Sequence, residues 1–246
     1  MVENVDNVEN EVLVVIPTYN ESLNLIDVIS RIRATELSLD ILIVDDNSPD
    51  GTGDIAETLS DDHTHVLHRA TKSGLGPAYL EGFQWGIQRN YRYFVEMDAD
   101  GSHLPEELPR LLSPRENFDL VIGTRWIKGG SVVNWPLHRK VISRCGTWYA
   151  AFALGLPYKD LTSGFKVLNQ ELIHRILESE ISTKGYGFQI ETVRIASGAK
   201  PTMKIEQVPI TFVERTAGQS KMSREIVFEA WKMTTIWALQ RIFKRR

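Results

Sequence analysis

Short runs of apolar residues recur along the first half of this 246-residue chain, and several of them are closed by a polar turn. Val12–Ile16 is closed by Pro17-Thr-Tyr-Asn-Glu21, Ile41–Val44 by Asp45-Asp46-Asn-Ser-Pro-Asp-Gly51, and Tyr93–Met97 by Asp98-Ala-Asp100. Val66–His68 and Leu120–Ile122 are further strand candidates. Between these runs the apolar spacing turns helical. It places Leu25, Ile26, Ile29 and Ile32 on one face of Glu21–Arg33, then Ile55, Ala56 and Leu59, then a helix over Pro77–Arg89. Strand and helix alternating at this interval predict an α/β fold, a mostly parallel sheet with helices on both faces. Ligands of such sheets bind outside the carboxyl ends of the strands. Any one polar cluster could be an ordinary turn of Asn, Asp, Pro and Gly. Three of them at the same edge predict a shared crevice.

Hydrophobic residues make up 42% of the chain and charged residues 24%, the balance of a folded domain. Cys145 is the only cysteine, which excludes an internal disulfide and zinc-ribbon patterns and suits a reducing, cytoplasmic setting. Charge is unevenly spread. Residues 1–62 hold fifteen acidic and two basic side chains, whereas residues 215–246 hold eight basic and two acidic ones. An acidic face that can hold a cation and a basic end that can meet phosphates is one reading; a solvated charge dipole is the other. A net charge of −4 gives no broad basic footprint for nucleic acid. The acidic, polar start is neither a signal nor a transit peptide, and residues 1–11 read as a loose tail before a main domain over 12–224.

Two late segments differ from the rest. From His138 to Leu154 a helical projection gathers Val141, Ile142, Cys145, Trp148, Tyr149 and Phe152 on one arc, opposite Arg139, Lys140, Ser143, Arg144 and Thr147. Such an arc, within residues 138–155, suits an interfacial helix or one docked on the protein's own core. Residues 225–246 form an apolar helix with a basic end. Its nineteen central residues would reach about 28 Å, and Glu225, Glu229, Lys232 and Arg241 make spanning a bilayer costly, so it reads as docked or interfacial.

Asp98 and Asp100, one residue apart at a strand end, can both reach a hard divalent cation such as Mg²⁺ or Mn²⁺, whose remaining ligands are commonly waters and substrate phosphates. Asp45-Asp46 could contact a nucleotide's base or ribose, or merely solvate a turn. Thr124-Arg125 brings a guanidinium to the same edge, and Arg215 and Lys221 bracket a loop containing Gly218 that could close over phosphate oxygens. Glycine-rich dinucleotide and P-loop signatures are absent from the sequence, as is any Ser-His-Asp or Cys-His arrangement.

Taken in order, Pro17-Thr-Tyr-Asn-Glu21, Asp45-Asp46-Asn-Ser-Pro-Asp-Gly51, Asp98-Ala-Asp100, Gly123-Thr-Arg125, Asp160-Leu-Thr-Ser-Gly-Phe-Lys166 and Phe212-Val-Glu-Arg215 with Ser220-Lys221 resemble the GT-A glycosyltransferases of family 2. More closely, the set resembles the dolichol- and polyprenol-phosphate mannose synthases. The resemblance covers about residues 12–224. It implies a GT-A fold, GDP-mannose as donor, a polyprenyl phosphate as acceptor and an inverting transfer assisted by Mg²⁺ or Mn²⁺. By this resemblance Pro17, Tyr19, Glu21, Val44 and Asp46 contact the nucleotide, and Asp98, Ala99 and Asp100 bind nucleotide and metal. Arg125, Arg215 and Lys221 contact phosphates or sugar, and Asp160 lies on the acceptor side. A glutamine common in the family is Ser102 here. Many relatives carry C-terminal membrane helices, so a short form needs its two late helices or a separate membrane-anchoring protein to sit at the cytoplasmic face. Rival readings are transfer from UDP-glucose or another nucleotide sugar, a binding module without catalysis, and a nucleotidyltransferase.

Overall fold

The computed structural model describes residues 10–185, 187–215 and 224–244. A seven-stranded sheet forms its middle. The strands are β1 (Val12–Thr18), β2 (Asp40–Asp45), β3 (Thr64–His68), β4 (Tyr93–Glu96), β5 (Leu120–Thr124), β7 (Lys166–Asn169) and β8 (Ile205–Pro209), in the order β3-β2-β1-β4-β7-β5-β8. Every pairing is parallel except those of β7, which runs antiparallel between β4 and β5. The mostly parallel sheet with helices on both faces is therefore present, with one reversed strand inside it.

The apolar runs form the strands because both faces of the sheet are covered. One face packs on α1 (Leu25–Arg33), α2 (Thr52–Thr58) and α4 (Leu108–Leu112), where Val14, Ile16, Ile41 and Ile43 meet Val28, Ile29 and Leu108. The other packs on α3 (Leu75–Ile87), α6 (Gln170–Glu178) and α7 (Gly187–Gly198), where Leu13, Val15, Leu42 and Val44 meet Tyr79, Phe83 and Phe188. Helix α3 lies so close to the strands that a Cβ on Gly86 would stand 2.4 Å from the Phe94 ring and 2.7 Å from Leu13. Only glycine allows that approach without displacing core side chains. Glu96 of β4 faces Lys166 of β7 across the reversed register, and both are fully buried. Lys166 Nζ also donates to the Gln189 carbonyl and Thr192 Oγ1 of α7, tying the reversed strand to a helix. Burial pushes the Glu96 carboxyl up and the Lys166 amine down, against their mutual attraction.

A two-stranded parallel ribbon, β6 (Ser131–Val133) with β9 (Thr211–Val213), stands at the carboxyl edge of the sheet. Val213 N donates to the Ser102 carbonyl at 3.1 Å, which brings Arg215 beside the Asp98–Asp100 turn. Asn10 and Glu11, read from the sequence as part of a loose tail, are fastened to the sheet. Asn10 bonds Asp40, and Glu11 pairs with Arg92 while its carbonyl accepts from Arg92 N and Tyr93 N.

The two late segments are α5 (Leu137–Leu154) and α8 (Arg224–Lys244). Helix α5 turns Thr147, Ala150 and Leu154 inward and leaves Leu137, Val141, Ile142, Trp148 and Phe152 exposed. Thr147, placed on the solvated side by helical projection, is thus buried, and the apolar arc faces outward. Helix α8 docks through Trp237 and Thr234 and exposes Val227, Phe228, Trp231, Leu239 and Phe243. The helices join where Tyr149 stacks on Trp231 and bonds Thr235 at 2.7 Å. Among the described residues no helix is long and apolar enough to cross a membrane.

Candidate active site

The turns after β1, β2 and β4 converge as their strand positions require. Pro17, Tyr19, Glu21, Asp46, Asp98, Ala99, Asp100 and Arg215 all line one cavity of about 540 Å³ at the carboxyl edge of the sheet. Val44 does not. Its side chain is fully buried against α3, where a Cβ on Gly82 would lie 3.2 Å from it, so it can contribute only by carrying the next two residues to the edge. Lys221 lies outside the described residues.

The Asp45-Asp46 pair divides its labour. Asp45 points back into its own turn, accepting from Thr18 Oγ1 at 2.9 Å and Ser48 N at 3.0 Å. Asp46 faces the cavity, where it accepts from Ser73 N and Gly74 N and pairs with Arg69 at 2.5 Å. Arg69 reaches on to Glu81 at 2.9 Å. Lys72 sets its ammonium 3.6 Å from the centre of the Tyr19 ring, at the side of the cavity. Sequence reasoning missed Arg69, Lys72, Ser73 and Gly74. Their signal was an Arg69-Ala-Thr-Lys-Ser-Gly74 segment directly after β3, at the same sheet edge. Asp50 braces the β2 turn: burial pushes its carboxyl up, but bonds from Thr52 and Ser22 together outweigh this and hold it at about 2.

The Asp98–Asp100 turn is braced by local hydrogen bonds. Gly101 takes φ +73°, a conformation that favours glycine, and Ser102 N donates to Asp100 Oδ1 at 2.9 Å. Asp98 N donates to His103 Nδ1 at 3.0 Å, which places the imidazole proton on Nε2. His103 is buried and stacked on Phe165, and burial pushes it down to about 4, so it is a neutral acceptor. Asp100 Oδ2 lies 2.6 Å from Arg215 Nη2. The described residues contain no group of three or more His, Cys, Asp or Glu side chains able to hold a metal. Two carboxylates facing a cavity nevertheless fit Mg²⁺ or Mn²⁺, because such ions take one or two protein carboxylates and fill the octahedron with water and phosphate oxygens. Asp98 and Asp100 are the residues that could hold one.

Arg125 does not line this cavity. It opens on a second one of about 380 Å³, between α5 and α8, together with Arg139, Ser143, Tyr149, Ile190 and Trp231. Asp160, fully buried, grips Arg125 at three points: the backbone N at 3.0 Å, Nε at 2.7 Å and Nη2 at 2.7 Å. Thr162 accepts from the same Nη2 at 2.9 Å. Trp126, Trp135 and Phe212 surround the guanidinium, and Arg139 pairs with Glu214 while stacking 4.2 Å from Trp135. The two cavities are neighbours, since α8 gives Glu229 to the first and Ala230 to the second.

The sequence profile of glycosyl transferase family 2 matches residues 13–177, which include every strand-end turn described above. The chain belongs to glycosyl transferase family 2. Its relatives within the family include the undecaprenyl-phosphate mannosyltransferase of Micrococcus luteus, 51% identical over 93% of this chain and 94% of that one. The polyprenol monophosphomannose synthase of Mycolicibacterium smegmatis is 45% identical over 93% and 87% of the two chains. A solved structure of glucosyl-3-phosphoglycerate synthase from Mycobacterium tuberculosis, in complex with Mn²⁺, UDP and phosphoglyceric acid, superposes with a TM-score of 0.68 at 19% identity. It covers 94% of this chain and 79% of that one, and shows the glycosyltransferase to have the GT-A fold. The profile stops at residue 177, short of β9, Arg215 and α8. The part of this glycosyltransferase that completes both cavities is therefore outside what the family match covers.

Proposed function

We propose that this glycosyltransferase moves mannose from GDP-mannose to a polyprenyl phosphate, inverting the anomeric centre, with Mg²⁺ or Mn²⁺ and at the surface of a membrane. One observation carries the reading. An apolar groove lined by the exposed Ile142, Val227 and Trp231 also holds a fixed guanidinium, Arg125, next to a polar cavity floored by carboxylates. An acceptor that is apolar along its length and anionic at its head suits the groove. A nucleotide diphosphate-sugar suits the polar cavity, with Asp46 and the Lys72-capped Tyr19 ring at its nucleoside end. The mannosyltransferase names of the two relatives support mannose and a polyprenyl phosphate.

A phosphomonoester is already an anion at neutral pH, with a second pKa of about 6, so it attacks without a general base. No side chain need accept a proton. The residues instead bring two anions together and hold them in line. Asp160 keeps Arg125 in one orientation at the head of the groove, and Arg139 beside Trp135 adds a second guanidinium there. Arg215, at the Asp100 end, faces the departing diphosphate, and Lys221 follows on the same segment. Asp98 and Asp100 would hold a divalent cation, which would supply Lewis-acid neutralisation of the leaving group. Backside displacement turns an α-linked donor into a β-linked product.

Incubation with Mn²⁺, a polyprenyl phosphate and a panel of radiolabelled GDP- and UDP-sugars tests the reading. Label is expected in the lipid phase from GDP-mannose, as the β anomer. Transfer from a UDP-sugar alone would reassign the donor, and an α product would end the in-line mechanism. Trp148→Glu with Phe152→Glu tests the membrane face. Each exposed aromatic contributes about 1.5–3 kcal/mol when it enters an apolar phase. The double variant is expected to lose at least about 100-fold in sedimentation with lipid vesicles while binding GDP normally. Undiminished sedimentation would show that the Trp148 and Phe152 face of α5 is not what meets the lipid.

A further inference from the structure

Glu229 stands on α8 with its carboxylate turned to the nucleotide cavity. Its carboxylate accepts from two successive backbone amides, Lys184 N at 3.0 Å on Oε1 and Gly185 N at 3.2 Å on Oε2. The Lys184 carbonyl in turn accepts from Gly76 N, in the first turn of α3, at 3.0 Å. The seating is close. A Cβ on Gly74 would lie 2.9 Å from the Lys184 carbonyl oxygen, and one on Gly76 would lie 2.8 Å from that of Thr183. The Lys184–Gly185 segment is thus fastened to α3 on one side and to α8 on the other. Both of its residues, together with Gly74 and Glu229 itself, line the cavity that holds Asp46 and Asp100. Val227 and Trp231, on the opposite side of the same helix, are exposed, so α8 itself lies between them and the cavity.

We propose that Glu229 is a positioning residue for the donor: it holds the Lys184–Gly185 side of the nucleotide cavity in place and so couples the seating of α8 on a lipid surface to donor capture. The inference rests on the assignment of that cavity to a nucleotide-sugar. Its physical basis is preorganisation. A helix steadied by lipid holds its two charge-assisted bonds a larger fraction of the time, and a ligand binds in proportion to the fraction of molecules with the cavity formed. A staple that served stability alone would alter unfolding and leave nucleotide affinity, and its response to lipid, unchanged.

Isothermal titration calorimetry of the full chain with Mn²⁺ and whichever of GDP or UDP the wild type binds, with and without phosphatidylglycerol vesicles, tests it. Vesicles are expected to tighten wild-type binding about threefold. Glu229→Ala, which removes both bonds and frees the Lys184–Gly185 segment, is expected to weaken binding about tenfold and to abolish the vesicle response. Glu229→Gln keeps the volume and one carbonyl acceptor and is expected to fall between, with a thermal midpoint near that of the wild type. Wild-type affinity in Glu229→Gln and Glu229→Ala would overturn the inference, and so would vesicles that tighten both proteins alike or neither. A wild type that binds neither nucleotide fails at the first titration and overturns the cavity assignment along with it.

Discussion

Asp160→Asn is expected to lower turnover with a polyprenyl phosphate by at least about 100-fold and to lower the thermal midpoint by about 10 °C. The two effects share one cause. Asp160 is fully buried and accepts from the backbone N, Nε and Nη2 of Arg125. Asparagine has the same shape, but it removes the negative charge and turns an amide N–H toward N–H donors. A buried guanidinium then loses its counter-charge, and breaking such a pair from one side costs about 3–5 kcal/mol. The side chain can relieve that cost only by leaving its place among Trp126, Trp135 and Phe212. In either case the head of the apolar groove loses its oriented cation. Arg125→Met combined with Asp160→Asn separates the consequences. Removing both charges leaves no orphan, so the double variant is expected to melt closer to the wild type than Asp160→Asn does, while staying inactive. Thermal denaturation beside steady-state kinetics with the acceptor varied measures both. A fully active Asp160→Asn protein would show that Arg125 takes no part in holding the acceptor.

The sequence made the first half of this fold legible because β1, β2 and β4 are buried on both faces and carry mostly apolar stretches, each with its turn at the same edge. The reversed strand β7 left no such trace. It is four residues long and begins with a lysine whose burial depends on Glu96, a partner 70 residues away. Helix α7 was equally hidden. Gln189, Glu191 and Thr192 are buried along with Phe188 and Val193, so no apolar stripe marks an inner face. In the cavity, the residues carried by strand-end motifs were found from the sequence, whereas Arg69, Lys72, Lys184 and Glu229 come from segments whose role depends on what they meet. Arg125 was assigned to the right edge but not to its own cavity, because the separation is made by α8, more than 100 residues further along. Helical projection found the apolar arc of α5 correctly. It could not say which way the arc faces, and the structure turns it outward because Thr147, Ala150 and Leu154 are the side chains small or apolar enough to pack inward.

Asp100→Asn is expected to reduce turnover by more than about 1,000-fold at saturating Mn²⁺, and Arg215→Ala by about 100-fold, but their effects on cation binding are expected to have opposite signs. Both oxygens of Asp100 are engaged, Oδ1 by Ser102 N at 2.9 Å and Oδ2 by Arg215 at 2.6 Å. A divalent cation on this carboxylate has to share it with a guanidinium or displace it, and two cations on one carboxylate repel. If Asp100 holds the metal as proposed, Arg215 would compete with it before the donor arrives. Once a diphosphate lies between them, the same side chain has phosphate oxygens to bind and its charge aids departure of the leaving group. A charge-assisted bond to a carboxylate is worth about 1.5–3 kcal/mol. Removing Arg215 is accordingly expected to tighten Mn²⁺ binding to the nucleotide-free protein by about tenfold, even as transfer falls. Asp100→Asn loses both the cation and turnover. Titration of Mn²⁺ followed by its paramagnetic resonance signal, without nucleotide, reads the binding directly. Weaker Mn²⁺ binding in Arg215→Ala than in the wild type would mean that Arg215 supports the cation site, and the competition described here would be wrong.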